Sequence, residues 1–194
     1  EGVDFQQMFE HSSTSTTIPL IYTLVFLFLT ALLVIMGVKN GIEKYSKIMM
    51  PLLFLMVIVI AIRSLTLPGA SEGVRFLFYP DFSKITGDTV LAAMGQAFFS
   101  LSIGCGTIIT DASYVKKEEN IISSSAATAI MDLVFAILAG VAIMPAVFAF
   151  GLSPSEGPGL LFVIFPQIFS QIPFGAVLAI LFFIVLFFAA LTSS

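Results

Sequence analysis

The chain has 194 residues, 58% of them hydrophobic and only 10% charged, with a net charge of −4. Soluble domains carry about 25% charged residues, so this composition, with a mean hydropathy of +1.08, excludes an ordinary soluble globule and points to a membrane protein. The single cysteine, Cys105, rules out an internal disulfide or a cysteine-built metal cluster, and no basic run suggests nucleic acid.

Residues 1–17 are polar and read as a loop. Residues 18–38 (IPLIYTLVFLFLTALLVIMGV) are free of charge and long enough to cross a bilayer, which takes about 20 helical residues. A short basic turn, KNGIEKYSK, leads to a second span over 48–67, with Pro51 near its start and Arg63 near its end. Residues 71–88 read as a mixed loop at the interface. A third span over 89–114 is broken, a fourth covers 121–150 with Pro145 bending its far end, and a fifth begins at 174 and runs to 194. Between the last two, LLFVIFPQIFSQI is too short to span and is split by Pro166, so 159–171 reads as a helical hairpin dipping at the interface. The expected whole is an all-α polytopic membrane protein, one membrane domain over 1–194. A polar start and an end inside an apolar run suggest a piece of a longer chain. Lys39, Lys44, Lys47, Lys116 and Lys117 fall on one side of these spans and Arg63, Arg75 and Lys84 on the other, which puts the lysine-rich turns in the cytoplasm.

The broken span, GQAFFSLSIGCGTIITDASY from Gly95 to Tyr114, is where chemistry is expected. Ser102, Gly104 and Gly106 lower helix propensity, by about 1 kcal/mol per glycine, and free backbone groups from their ladder. In hydrocarbon such groups cost several kcal/mol each unless they line a cavity. Asp132 lies in mid-helix, roughly 18 Å from the turn at Asn120 at about 1.5 Å per residue, and Ser100 lies at a similar depth from the other face. An acid at that depth costs at least ~2.5 kcal/mol and should meet a cavity or a cation. A carboxylate, a hydroxyl and loosened carbonyls are the hard oxygen ligands of an alkali or alkaline-earth cation.

The series GIEKYSKIMMP, GQAFFSLSIGCGTIITDASYVKKEENI, AGVAIMPAVFAFGLSPSEGPGLLF and LFFAALTSS resembles, in order and spacing, the neurotransmitter:sodium symporter family, and within it the bacterial amino-acid transporters of the leucine-transporter type. The resemblance implies the fourth to eighth helices of an inverted-repeat bundle whose other helices lie outside this chain. It implies sodium-coupled symport of a small hydrophobic or aromatic amino acid by alternating access, in a bacterial cytoplasmic membrane, with two sodium ions and no enzymatic activity. By the same resemblance, Ser100 and Asp132 match ligands of a first sodium site, and Ala189, Thr192 and Ser193 those of a second. Phe99 matches the aromatic lid over the substrate, with Ser100 and Ser193 beside it, Ser102 and Gly104 the unwound backbone, and Cys105 a wall of the side-chain pocket. Gln96 and Tyr114 match outer-gate and inner-gate residues. Gly41 and Pro51 match the unwinding element through which water reaches the second sodium.

This chain departs from the family pattern at three positions. Ala136 stands where chloride-dependent members have a serine, so the resemblance implies no chloride site, with Asp132 supplying the negative charge. Cys105 replaces a commonly larger residue, which implies room in the pocket. Asp111 replaces an uncharged residue and is given no role. Among rival readings, an aspartyl protease needs carboxylates about 3 Å apart, whereas Asp111 and Asp132 sit at different depths. A serine protease lacks a histidine within any span. A cation channel or a non-transporting membrane subunit remains the alternative.

Overall fold

The computed structural model describes residues 5–36, 42–104, 106–115, 118–154 and 159–192, and among them the regular structure is entirely helical. In chain order the helices are α1 (Phe5–Thr14), α2 (Thr17–Met36), α3 (Ile42–Leu65), α4 (Ala70–Phe78), α5 (Gly87–Ser100), α6 (Thr107–Tyr114), α7 (Ile121–Ala149), α8 (Gly159–Ser170) and α9 (Gly175–Thr192). The described chain falls into two compact units, one of residues 1–77 and 139–194 and one of residues 78–138. Among the described residues α3 and α7 are each long and apolar enough to span a membrane, and α1 with α2 form a third candidate bent by 79°.

In the first unit α3, α8 and α9 make the core. The buried positions of α3, namely Leu53, Met56, Val57, Ile60, Ala61 and Ser64, recur at three- and four-residue intervals and so form one stripe. α8 buries Leu160, Val163, Ile164, Phe165, Ile168 and Phe169, and α9 brings Phe182, whose ring lies 5.0 Å from that of Phe165 and 5.7 Å from that of Phe169. This overturns the hairpin expected over 159–171. The segment is a single helix with Pro166 inside it. Proline removes one ladder bond, and the rings packed on either side of it, Phe165 and Phe169, keep the helix running.

Two further helices lie where loops were expected. α1 forms within the polar 1–17 stretch because Phe9 has a partner far along the chain, stacking on Phe162 at 6.0 Å. The Ser13 and Thr14 hydroxyls then donate back to the Glu10 carbonyl at 3.2 and 2.7 Å and close its end. α4 forms within 71–88 because small residues let it lie on the far half of α7. A β-carbon at Gly69 would come 3.6 Å from Ala149 Cα, one at Gly73 would run into the backbone of Met144 and Pro145, and one at Gly140 would meet Leu77 at 3.3 Å. Four-residue spacing puts Gly73 and Leu77 on one face of α4, and Gly69, just ahead of the helix, makes the third contact.

α3 begins earlier than the expected second span and runs unbroken through Pro51. The unwinding expected from Gly41 and Pro51 is therefore not seen at Pro51, and Gly41 lies outside the described residues. α3 can carry the proline because its core-facing stripe, starting at Leu53, anchors the following turns.

The second unit opens with a single 3₁₀ turn, Phe82–Lys84, capped by Asp81, and then enters α5 through a reciprocal capping box. The Thr86 hydroxyl accepts from the Thr89 N–H at 3.3 Å and the Thr89 hydroxyl from the Thr86 N–H at 3.2 Å. This fixes where the broken span starts.

Candidate functional site

α5 ends in a Schellman motif. The Ile103 N–H donates to the Phe98 carbonyl at 2.9 Å and the Ser102 N–H to the Phe99 carbonyl at 3.1 Å, the two bonds that define this helix end. The motif needs a left-handed residue, usually glycine, and here that residue is Ser102, with φ 53. Gly104 follows at φ 83. α6 then restarts from Gly106, whose carbonyl accepts from the Ile109 and Thr110 N–H groups at 3.1 and 3.2 Å. No side chain caps this start, so the positive end of the α6 dipole faces the break.

The hydroxyl at the last residue of α5 turns to α7. Ser100 Oγ lies 2.8 Å from Oδ1 and 2.7 Å from Oδ2 of Asp132. The structure thus brings together two residues 32 positions apart. Among the described residues there is no cluster of three His, Cys, Asp or Glu side chains. A cation here would be held by one carboxylate, a hydroxyl and backbone oxygens, a set suited to a hard ion rather than to zinc.

Of the other expected site residues, Gln96 and Phe99 lie in the last two turns of α5, with the Phe99 ring 79% exposed. Ser102 and Gly104 form the break itself, and Tyr114 ends α6. Ala189 lies in the last turn of α9 and Thr192 ends it. Cys105, Ser193 and Gly41 lie outside the described residues. Sequence pattern gives no sign of one further polar pairing, between Arg63 and Gln171 at 3.2 Å. Arg63 registers in the sequence only as a topology charge, and nothing local signals a partner 108 positions away.

A sequence profile described as the sodium:neurotransmitter symporter family matches residues 5–194. The chain belongs to that family. It is 50% identical over 171 residues to the uncharacterized sodium-dependent transporter YhdH of Bacillus subtilis, an alignment covering 88% of this chain and 38% of that protein. It is 32% identical over 149 residues to the sodium- and chloride-dependent GABA transporter ine of Drosophila melanogaster, covering 72% of this chain and 16% of that one. Among solved structures, the crystal structure of MhsT in complex with L-phenylalanine superimposes with a TM-score of 0.92 at 49% identity, covering 97% of this chain and 43% of that chain. The chain thus spans about two fifths of the length of YhdH and of the MhsT chain. Symporter-family membership makes it part of a multi-pass membrane protein with the leucine-transporter-type helical fold, from a family of sodium-dependent transporters rather than enzymes.

Proposed function

We propose that this chain supplies the fourth to eighth helices of a sodium-coupled symporter that moves a hydrophobic or aromatic amino acid by alternating access across a bacterial cytoplasmic membrane. The observation that carries this reading is the Ser100–Asp132 contact at the end of α5, 2.7 and 2.8 Å, placed beside a backbone break held open by Ser102 and Gly104. Oxygen ligands for sodium and loosened backbone for an amino acid's charged ends then lie on adjacent residues. In this reading Ser100 and Asp132 hold one sodium ion and Ala189, Thr192 and Ser193 a second. Phe99 closes over the substrate, and Gln96, Tyr114, Gly41 and Pro51 serve the gates. Cys105, smaller than the residue common at its position, leaves space for a bulky side chain. The phenylalanine named for the MhsT complex belongs to the same chemical class.

The test is uptake of labelled L-phenylalanine into liposomes holding the transporter that carries this chain. Uptake should need an inward sodium gradient, and Ser100→Ala should raise the sodium concentration for half-maximal uptake about tenfold, or about 1.4 kcal/mol. Uptake equally fast with potassium in place of sodium would overturn the reading. Sodium flux that proceeds without any amino acid would point to a cation channel instead.

A further inference from the structure

Arg63 sits in the last turn of α3 and is fixed to its own helix end. Its Nη1 donates to the Thr66 hydroxyl at 2.8 Å, and that hydroxyl donates to the Arg63 carbonyl at 2.7 Å. The other arm of the guanidinium is thereby aimed outward, and Nη2 donates to Gln171 Oε1 at 3.2 Å. Gln171 opens the corner between α8 and α9. That corner is stiff: the N–H groups of Gln171, Ile172 and Gly175 donate to the carbonyls of Ile168, Phe169 and Ile172 at 3.0, 3.1 and 3.0 Å. Phe174 is held left-handed at φ 59, and Gly175 lies against the Phe169 carbonyl so closely that no β-carbon fits. Lifting this corner off α3 strips away the packing beneath those bonds, so its own amides loosen as it opens.

The remainder of the surface between α3, α8 and α9 is apolar, with Ile60, Ile164, Ile168 and Phe182 almost fully buried. One group breaks that pattern. Ser64, next to Arg63, has no exposed surface, and its Oγ has no hydrogen-bond partner among the described residues. A buried hydroxyl without a partner is a cost borne only while the surfaces stay closed. The end of α3 therefore carries two opposed polar terms. A charge-assisted hydrogen bond favours closure, and an orphaned hydroxyl favours opening.

We infer that Arg63 and Gln171 form a reversible latch holding the α8–α9 corner against the end of α3, and that Ser64 sets how readily the latch opens. When the corner lifts, Gln171 and Arg63 each return to solvent, and the Ser64 hydroxyl gains the partner it lacks. The orphaned hydroxyl thereby narrows the free-energy gap between the two states. Arg63 and Gln171 are positioning residues: they act on when the corner moves, not on sodium or substrate directly. The role of this motion in the transport cycle rests on the symporter reading above; the latch itself does not.

Hydrogen exchange at the Gln171, Ile172 and Gly175 amides reads the opening of the corner, in the transporter that carries this chain, reconstituted in lipid. Arg63→Met should speed exchange there about fivefold, the effect of roughly one ordinary stabilising interaction. Arg63→Lys, which keeps the charge but loses the fork, should fall between. Ser64→Ala should do the reverse and slow exchange about threefold, because it removes the orphan and leaves the latch intact. Gln171→Glu, which converts the bond to an ion pair, should also slow exchange. It should also lower the maximal rate of amino-acid uptake while leaving half-saturating substrate within about twofold. A contact that merely held the fold together would not slow turnover when strengthened. Unchanged exchange in Arg63→Met, or faster exchange in Ser64→Ala, overturns the latch whatever uptake does. Exchange that responds as stated in a protein whose uptake ignores sodium overturns the symporter reading and leaves the latch standing.

Discussion

Gly73 of α4 lies on the backbone of α7 at Met144. A β-carbon at Gly73 would fall onto the Met144 carbonyl oxygen and within 2.5 Å of Pro145 Cα, atoms that cannot swing aside as a side chain would. Gly73→Val should therefore cost about 2–3 kcal/mol, at the upper end for overpacking, or leave α4 undocked. Gly87→Ala, where nothing lies within 4 Å, should stay within about 0.5 kcal/mol. Thermal unfolding in detergent, followed for both variants of the same protein, checks the difference.

Ser102 and Gly104 make a second pair with opposite expectations. Ser102 occupies the left-handed position of the Schellman motif at φ 53, a conformation that costs an L-residue roughly 1–2 kcal/mol. Ser102→Gly should relieve part of this and raise the unfolding temperature. Gly104→Ala, at φ 83, should create the same strain and lower it. Unfolding of the two variants in the absence of sodium and amino acid isolates the backbone effect from any change in binding. A shift in the same direction for both would mean that backbone strain does not govern the break.

Much of this arrangement is legible in the sequence where a residue's own chemistry demands it. The break between Leu101 and Gly106 follows from glycine and serine in an apolar helix, and the Ser100–Asp132 pairing from an acid that hydrocarbon would not tolerate alone. What the sequence hides depends on partners distant along the chain. α1 lies in a polar stretch and owes its place to Phe9 stacking on Phe162. α4 reads as a loop until Gly69, Gly73 and Leu77 are seen against α7. Pro166 suggests a hairpin by its own chemistry, and Phe182, which packs against both Phe165 and Phe169, is sixteen positions farther on.

Asp81, in the loop ahead of α5, gives a pH dependence whose sign can be worked out. The Ser83 hydroxyl first, then Lys84 and the Ser83 N–H, hold its carboxyl below the ordinary value of 3.8. A carboxyl lowered in the folded state contributes stability above its unfolded value and loses it as pH falls through the lower folded value. The 3₁₀ turn at Phe82–Lys84 should thus keep its cap at neutral pH and lose it only below pH 3.8. A carbon-13 titration of the Asp81 carboxyl should show a midpoint under 3.8, and Ser83→Ala should move that midpoint upward. An unmoved midpoint would mean that the serine does not hold the charge.

Asp132 offers the most direct test of how charge is balanced at the proposed sodium site. A sodium ion beside Ser100 needs a negative partner, and the carboxylate that the Ser100 hydroxyl touches through both oxygens is the one at hand. Two unit charges about 4 Å apart attract by several kcal/mol even at an effective dielectric near 20, so losing the charge should be felt strongly. Asp132→Asn should weaken apparent sodium affinity about 10- to 100-fold, which is about 1.4–2.8 kcal/mol. Ala136 lies one turn further along α7, on the same face. Ala136→Ser adds a hydroxyl there that can help hold an external anion. The double variant Asp132→Asn/Ala136→Ser should then recover uptake only when chloride is present, the dependence after which the sodium- and chloride-dependent GABA transporter ine is named. The measurement is sodium-driven uptake in liposomes with chloride or gluconate. The unaltered protein should be indifferent to chloride. A chloride requirement in the unaltered protein, or robust chloride-independent uptake in the double variant, would mean that Asp132 does not supply the missing charge.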